Sequence, residues 1–326
     1  MSRLRRPPSG LRAAAGTALV RSVVSVTFIA FVAFVAMAAA AVAWPGLARA
    51  QVAQPTLDKI RDANAIAIGY SETSVPFSSV DANGKVVGFS QDICDRVIAA
   101  VKARTQRPGL GVRFIAVTSQ NLMPLVQNGS VDLVCGVTTN TRARQRQVQF
   151  SDTFFIADTR LLTRRNSGIH DFPDLAGKTV VTNQGTTSER MLRRMNLDRR
   201  MNMQVLSAHD YGEGRRMLES GRAVAYMMDD VLLAGTRAHM AKPADWVIVG
   251  TPQSSEAYAF VMRNGDPAFR QVVDDAMSAL MTSGEMGKLY TKWFEQPTPG
   301  SAADWRFPMS DALRKLYAAP NDRALD

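Results

Sequence analysis

Cysteine and histidine are scarce in this chain: 2 of the former and 3 of the latter in 326 residues. Two cysteines exclude a disulfide framework and a four-cysteine zinc site. His170, His209 and His239 stand far apart in spacings that suit no metal, so no metal or cofactor is expected. Aromatic residues make up only 7% of the chain, and no basic stripe is interleaved with them, as a nucleic-acid surface requires. The most basic stretch, Arg190 to Arg200, is interrupted by Met191, Leu192, Met195 and Leu197. It reads as a helix with one apolar and one solvated basic face. Cys94 falls in a predicted helix and Cys135 at the end of a predicted buried strand. Pairing needs Cα atoms within roughly 7 Å, and buried free thiols are the expected state.

Acids are absent from residues 1–50, which hold six arginines. Arg3, Arg5, Arg6, Arg12 and Arg21 precede or border an apolar run over 23–43, and Ala48-Arg49-Ala50 follows. Basic region, apolar region and A-x-A site predict a cleavable secretory leader, cut after Ala50. A permanent anchor is the rival reading, since the run is nearly long enough to span a bilayer, but its alanines and small-residue site favour removal. Without the leader the formal charge of +10 falls to +4. No further transmembrane segment is expected, and a soluble periplasmic protein is the simplest outcome.

The rest alternates strand and helix twice. Strand signals at 65–69, 112–117 and 131–136 flank helices at 91–104 and around Leu122, Leu125 and Val126. A second series runs through strands at 179–182, 204–207 and 223–228 and helices near Arg190 and over 213–220. Two runs of βα units predict an α/β protein of two lobes. The stretches 154–163 and 252–261 are the crossover candidates, and two crossovers make a hinge suited to closing over a ligand in the interlobe cleft. The expected division is leader 1–50, lobe 1 over 51–158, lobe 2 over 159–254, a return to lobe 1 over 255–298 and a tail over 299–326. The tail carries a short helix with Ala312, Leu313, Leu316 and Tyr317 on one face.

The chemistry concentrates in 118–152. A buried strand there runs into a helix start bearing Thr138, Thr139 and Thr141 beside Arg142 and Arg144. Free N–H groups and the positive helix end favour an anion, and arginine adds a planar fork that matches a carboxylate. A second such place is Gly185-Thr186-Thr187-Ser188-Glu189, where Thr186 and Glu189 have capping-box spacing. Met227-Met228-Asp229-Asp230 supplies an anion for an ammonium, with Asp229 assigned to the ligand and Asp230 to the helix cap. All these groups fall at carboxyl ends of strands, where open α/β sheets place ligands.

From Leu57 onward the chain resembles the family 3 periplasmic solute-binding proteins of polar amino-acid ABC importers, and within them the glutamate/aspartate-binding branch. The carriers include Ser71-Glu-Thr-Ser-Val-Pro-Phe77, Thr118-Ser-Gln-Asn121, Leu125-Val-Gln-Asn-Gly129, Cys135-Gly136 with Thr138-Thr-Asn140, and Phe150-Ser-Asp-Thr153. Val87-Gly-Phe-Ser-Gln-Asp92, Gly185-Thr-Thr-Ser-Glu189, Leu218-Glu-Ser-Gly-Arg-Ala-Val-Ala225, Met227-Met-Asp-Asp230 and Pro320-Asn-Asp322 complete the set. The resemblance implies a type II two-lobed periplasmic binding fold, and a monomer that delivers an amino acid to a permease in the inner membrane. It implies Arg144 on the α-carboxylate, helped by Thr139 and Thr186 or Thr187, and Asp229 on the α-ammonium. The departures lie around the ligand's side chain, near Ser71, Ser74, Leu122, Val137 and Tyr211. The glutamate/aspartate branch has arginine at the positions of Ser71 and Leu122, serine at Val137 and histidine at Tyr211. Two lost guanidiniums remove charge-assisted hydrogen bonds of roughly 1.5–3 kcal/mol each, so a neutral amino acid or another small amino carboxylate is expected.

Two other classes of function remain open to the sequence. One is a dehydratase-like enzyme on the same fold, with Glu72, Tyr211 or Asp229 as its acid or base, although no nucleophile–base pair accompanies them. The other is a receptor that reports ligand occupancy to a sensor.

Overall fold

The computed structural model describes residues 54–296 and 306–325. The predicted leader and the start of the tail lie outside these residues. Helix α1 (Thr56–Ala63) and strand β1 (Ala65–Tyr70) lead into a small antiparallel sheet of β2 (Thr73–Ser74), β3 (Ser78–Val80) and β4 (Val86–Val87). Helix α2 (Phe89–Thr105) buries Ile93, Val97, Ile98 and Val101, the 3/4 spacing that turns one helical stripe to a core. Then come β5 (Gly111–Ala116), α3 (Leu122–Gln127), β6 (Leu133–Thr139), the single turn α4 (Arg142–Gln145), β7 (Gln149–Phe150) and the long β8 (Phe155–Arg164).

A second series comprises β9 (Thr179–Asn183), α5 (Thr187–Asp198), β10 (Gln204–Ala208), α6 (Tyr211–Glu219), β11 (Ala225–Asp229) and α7 (Asp230–Ala238). Strands β12 (Trp246–Val249) and β13 (Ser255–Met262) follow. Helices α8 (Pro267–Thr282), α9 (Glu285–Tyr290) and α10 (Asp311–Ala318) close the chain.

Strand pairing explains how the two series join. In the first, β1 lies parallel to both β5 and β6; in the second, β9 lies parallel to both β10 and β11. The long strands β8 and β13 belong to both. Up to Asp158, β8 pairs with β13; from Thr159 onward it pairs with β11. From Tyr258 onward, β13 in turn pairs with β6. The chain therefore passes between its two halves at 158–159 and again at 250–254, just before β13. All of β13 after Ser255 is buried, as suits a strand covered on both faces.

Under this junction Phe77, Phe89, Phe154, Phe155, Tyr258 and Phe294 form one aromatic cluster. Within it, Phe77 meets Phe155 edge-on at 4.9 Å between centroids, the geometry that ring quadrupoles favour. Among the described residues no helix is long and apolar enough to cross a membrane.

The cysteine expectation is overturned. Cys94 on α2 and Cys135 on β6 are disulfide-bonded, with Cα atoms 5.9 Å apart. The buried face of α2 lies directly over β6, a pairing across 41 residues of sequence that hydropathy patterning does not register. The bridge anchors the strand whose last residues enter the site.

Candidate functional site

Two adjoining cavities lie at the carboxyl ends of β1, β6, β9 and β11, one of about 140 Å³ and one of about 20 Å³. All ten residues singled out from the sequence line them. Arg144, Thr139, Thr186, Thr187 and Asp229 border the smaller cavity, and Ser71 and Ser74 border the larger. Leu122, Val137 and Tyr211 border both.

Arg144 is 6% exposed. Its Nη1 donates to the carbonyl of Thr139 at 3.0 Å and its Nη2 to the carbonyl of Gly185 at 3.2 Å, so one guanidinium touches both halves. Burial, with Arg190 nearby, lowers its pKa to about 10, which leaves it charged at neutral pH. Its setting differs from the sequence expectation. Thr138 and Thr139 end β6 rather than start a helix, and the helix that follows has only four residues, capped by the Thr141 hydroxyl. A single turn has little dipole to offer, so the guanidinium provides nearly all the positive charge here.

Asp229 stands at the end of β11, 3% exposed. Its Oδ1 accepts from the hydroxyls of Thr159 (3.2 Å) and Ser188 (3.4 Å), and its Oδ2 from Tyr258. Burial first, and the charge of Glu256 second, push its pKa up to about 7. Asp230 is the first residue of α7, and its carboxylate takes the N–H groups of Val231 at 2.7 Å and Asp158 at 3.1 Å. This corrects the expected cap: Asp229 occupies the N-cap position without a side-chain cap bond, while Asp230, inside the first turn, ties α7 to β8.

Beside Asp229, Thr186 caps α5, accepting from the N–H of Glu189 at 3.0 Å. Glu189 reaches back to the N–H of Gly185 at 2.8 Å, one residue before the position that a capping box uses. Thr187 donates to Glu256 at 2.9 Å.

Around the larger cavity, Ser74 donates to Ser71 at 2.5 Å, and Ser119 and Tyr211 line the same space. Burial, and then Asp229, raise the Tyr211 pKa. The halves meet tightly beside these groups. Gly185 sits at φ +78°, and a Cβ there would lie 3.1 Å from the backbone of Gln120. Gly235 on α7 similarly faces the carbonyl of Val75. The backbone N–H of Tyr211 donates to Thr73 at 3.2 Å.

The sequence reading missed Glu256, Thr159, Tyr258 and Ser119. Glu256 carried a signal: a lone acid opening the apolar run Ala257-Tyr-Ala-Phe-Val-Met262 is costly to bury unless it serves something. Among the described residues no cluster of His, Cys, Asp and Glu could hold a metal ion.

A sheet crossed twice by shared strands, with facing βα units shut on one buried arginine and one buried aspartate, is the build of a solute-capturing protein. The chain belongs to the bacterial extracellular solute-binding proteins, family 3, matched over residues 66–296. It is 50% identical over 285 residues to the glutamate/aspartate import solute-binding protein of Salmonella typhimurium, covering 86% of this chain and 94% of that one. It is 51% identical over 272 residues to the L-glutamate/L-aspartate-binding protein of Pseudomonas aeruginosa, covering 83% and 90%. The structure of an ancestral amino acid-binding protein, a precursor of cyclohexadienyl dehydratase, superposes with a TM-score of 0.63 at 28% identity, covering 73% and 99%. The fold is that of a type II periplasmic binding protein, and the role is substrate capture.

Proposed function

We propose that this chain captures a free α-amino acid between two closing lobes and delivers it to the permease of an ABC importer. The observation that carries this reading is the pairing of Arg144 and Asp229. Arg144, on the helical turn after β6, and Asp229, at the end of β11, are buried on opposite halves and border one cavity. A guanidinium and a carboxylate so placed complement the carboxylate and ammonium of a zwitterion. Thr139, Thr186 and Thr187 add hydroxyls beside the carboxylate position. Closure then follows from binding, because a ligand gripped from both halves stabilises only the closed form. The lobes are taken as 51–158 with 255–298, and 159–254, hinged where β8 changes partner and ahead of β13.

The import-binding names of relatives that cover most of the chain favour a carrier over an enzyme, and the leader-like first 50 residues favour export to the periplasm with cleavage after Ala50. We take the carrier to work as a monomer.

The test is calorimetric titration of purified protein, stripped of carried-over ligand by unfolding and refolding. Free amino acids are compared with their N-acetyl and methyl-ester derivatives. One-to-one binding of a free amino acid, lost in both derivatives, is expected. Equal binding of free and blocked forms, or no binding of any amino acid, overturns the reading.

A further inference from the structure

We infer that the larger cavity is a side-chain subsite for an uncharged, hydrogen-bonding group, so that the captured amino acid is neither acidic nor basic. The inference rests on the amino-acid reading above. This cavity continues from the Arg144–Asp229 locus past Leu122, Val137 and Tyr211, which line both spaces. It is where the remainder of a ligand anchored at that locus must go.

Charge decides what fits. Among the residues lining either cavity, Arg144 is the only lysine or arginine, and its guanidinium lies at the smaller one, bonded to Thr139 and Gly185. A second carboxylate on the ligand would leave water with no lysine or arginine to meet it, a severe cost in a closed site; His209, the other basic side chain on this lining, is exposed to solvent. It would also share the cavity with Glu72 and Asp210, whose like charge opposes it. A cationic side chain is not well served by those two acids. Asp210 already caps α6, accepting the N–H of Glu213 at 2.8 Å, and Glu72 is exposed, where water and salt screen it.

The remaining lining divides by chemistry. Val117, Leu122, Val134 and Val137 are aliphatic, while Ser71, Ser74, Ser119 and Tyr211 bring four hydroxyls, Ser74 bonded to Ser71. Hydroxyl protons rotate to suit a partner, so these groups meet an amide or hydroxyl in either polarity without stranding a buried donor. Aliphatic contact on one part and adjustable hydroxyls on another suit a short polar side chain.

The test is competitive titration of the refolded protein with three sets of L-amino acids: glutamine, asparagine, serine and threonine; glutamate and aspartate; arginine and lysine. One of the uncharged polar set is expected to bind at least about tenfold tighter than every charged one, since one charge-assisted bond gained or lost is worth that much. Glutamate, aspartate, arginine or lysine as the tightest ligand, or any other ranking, overturns the inference and leaves amino-acid capture standing. Absence of binding by every amino acid overturns both. A gain-of-function variant adds a second reading. Leu122→Arg places a guanidinium in the cavity and is expected to shift the glutamate-to-glutamine affinity ratio at least about tenfold toward glutamate. Ser71→Arg, at a half-buried position, makes the same test if Leu122→Arg does not fold. An unchanged ratio in a folded variant overturns the assignment of this cavity to the side chain.

Discussion

Asp229 and Glu256, at the ends of strands β11 and β13, share the hydroxyl of Thr159, which lies 3.2 Å from one carboxylate and 3.4 Å from the other. Two buried acids are thereby coupled at the point where the chain first passes between its halves. Ordinarily such a pair would be penalised, and burial together with Glu256 indeed raises Asp229 to about 7.

That shift has a definite sign. A carboxyl whose pKa is higher folded than unfolded binds an extra proton in the native state, so its contribution to stability is complete at low pH. It is lost as pH climbs from about 4 through about 7. Asp230, pushed up to about 6 by burial, acts in the same direction. The ligand-free protein is expected to become less stable between pH 4.5 and 7.5, and Asp229→Asn to flatten that slope. Binding should run the other way. An ammonium set against Asp229 favours its ionised form, so affinity should tighten as pH rises from 5.5 to 7.5, with proton release measurable by calorimetry in buffers of different ionisation enthalpy. A pH-independent affinity would show that Asp229 is not the ammonium's partner.

Arg144 bridges Thr139 and Gly185 with two nitrogens of one planar group, which a lysine cannot reproduce. Arg144→Lys is expected to weaken amino-acid binding at least about tenfold and Arg144→Ala about a hundredfold or more, as befits loss of a buried charge-assisted fork. Titration calorimetry reads both. Wild-type affinity in Arg144→Lys would mean that a bare positive charge suffices and the fork geometry is irrelevant.

Much of this was legible in the sequence because it is periodic or local. The stripe of α2, the alternation of two βα series and the extended crossovers all leave their mark within a window of a dozen residues. Arg144, Asp229 and the Thr186–Thr187 pair were visible because a charged or capping residue beside a buried strand end is chemically conspicuous. What escaped depends on long-range register. Nothing near Cys94 announces Cys135, and Thr159 and Tyr258 read as ordinary strand residues until β8 is laid between β11 and β13. The error at Thr138 and Thr139 had a physical cause as well. Threonine serves equally as a strand residue and as a helix cap, and only strand pairing with β13 resolves the choice.

The Cys94–Cys135 bridge closes a loop across 41 residues. In the chain-entropy view, a loop of that size stabilises by about 4 kcal/mol. Cys94→Ser with Cys135→Ser, or reduction of the wild type, is expected to lower the denaturant midpoint by a corresponding amount. Serine in place of sulfur also puts two hydroxyls among apolar neighbours, so the chemically reduced protein is the cleaner comparison. An unchanged midpoint on full reduction would mean that α2 and β6 packing alone fixes the strand.

Gly185 tests whether closure carries affinity. Its φ of +78° lies where residues with a side chain are strained, and the space beside it is occupied by the backbone of Ser119 and Gln120 from the other half. Backbone has no rotamer with which to retreat, so a methyl group at this position acts as a wedge between the halves. The open form, in which that contact is released, would suffer only the φ cost. Gly185→Ala is therefore expected to leave a folded protein whose melting temperature without ligand falls by a few degrees at most. Its amino-acid affinity should drop by about tenfold or more, because binding must now overcome the wedge. Small-angle scattering supplies the decisive readout: the wild type should contract on adding ligand, and the variant should contract less at equal occupancy. Full contraction with unaltered affinity would show that these halves do not have to meet at Gly185 for the ligand to be held.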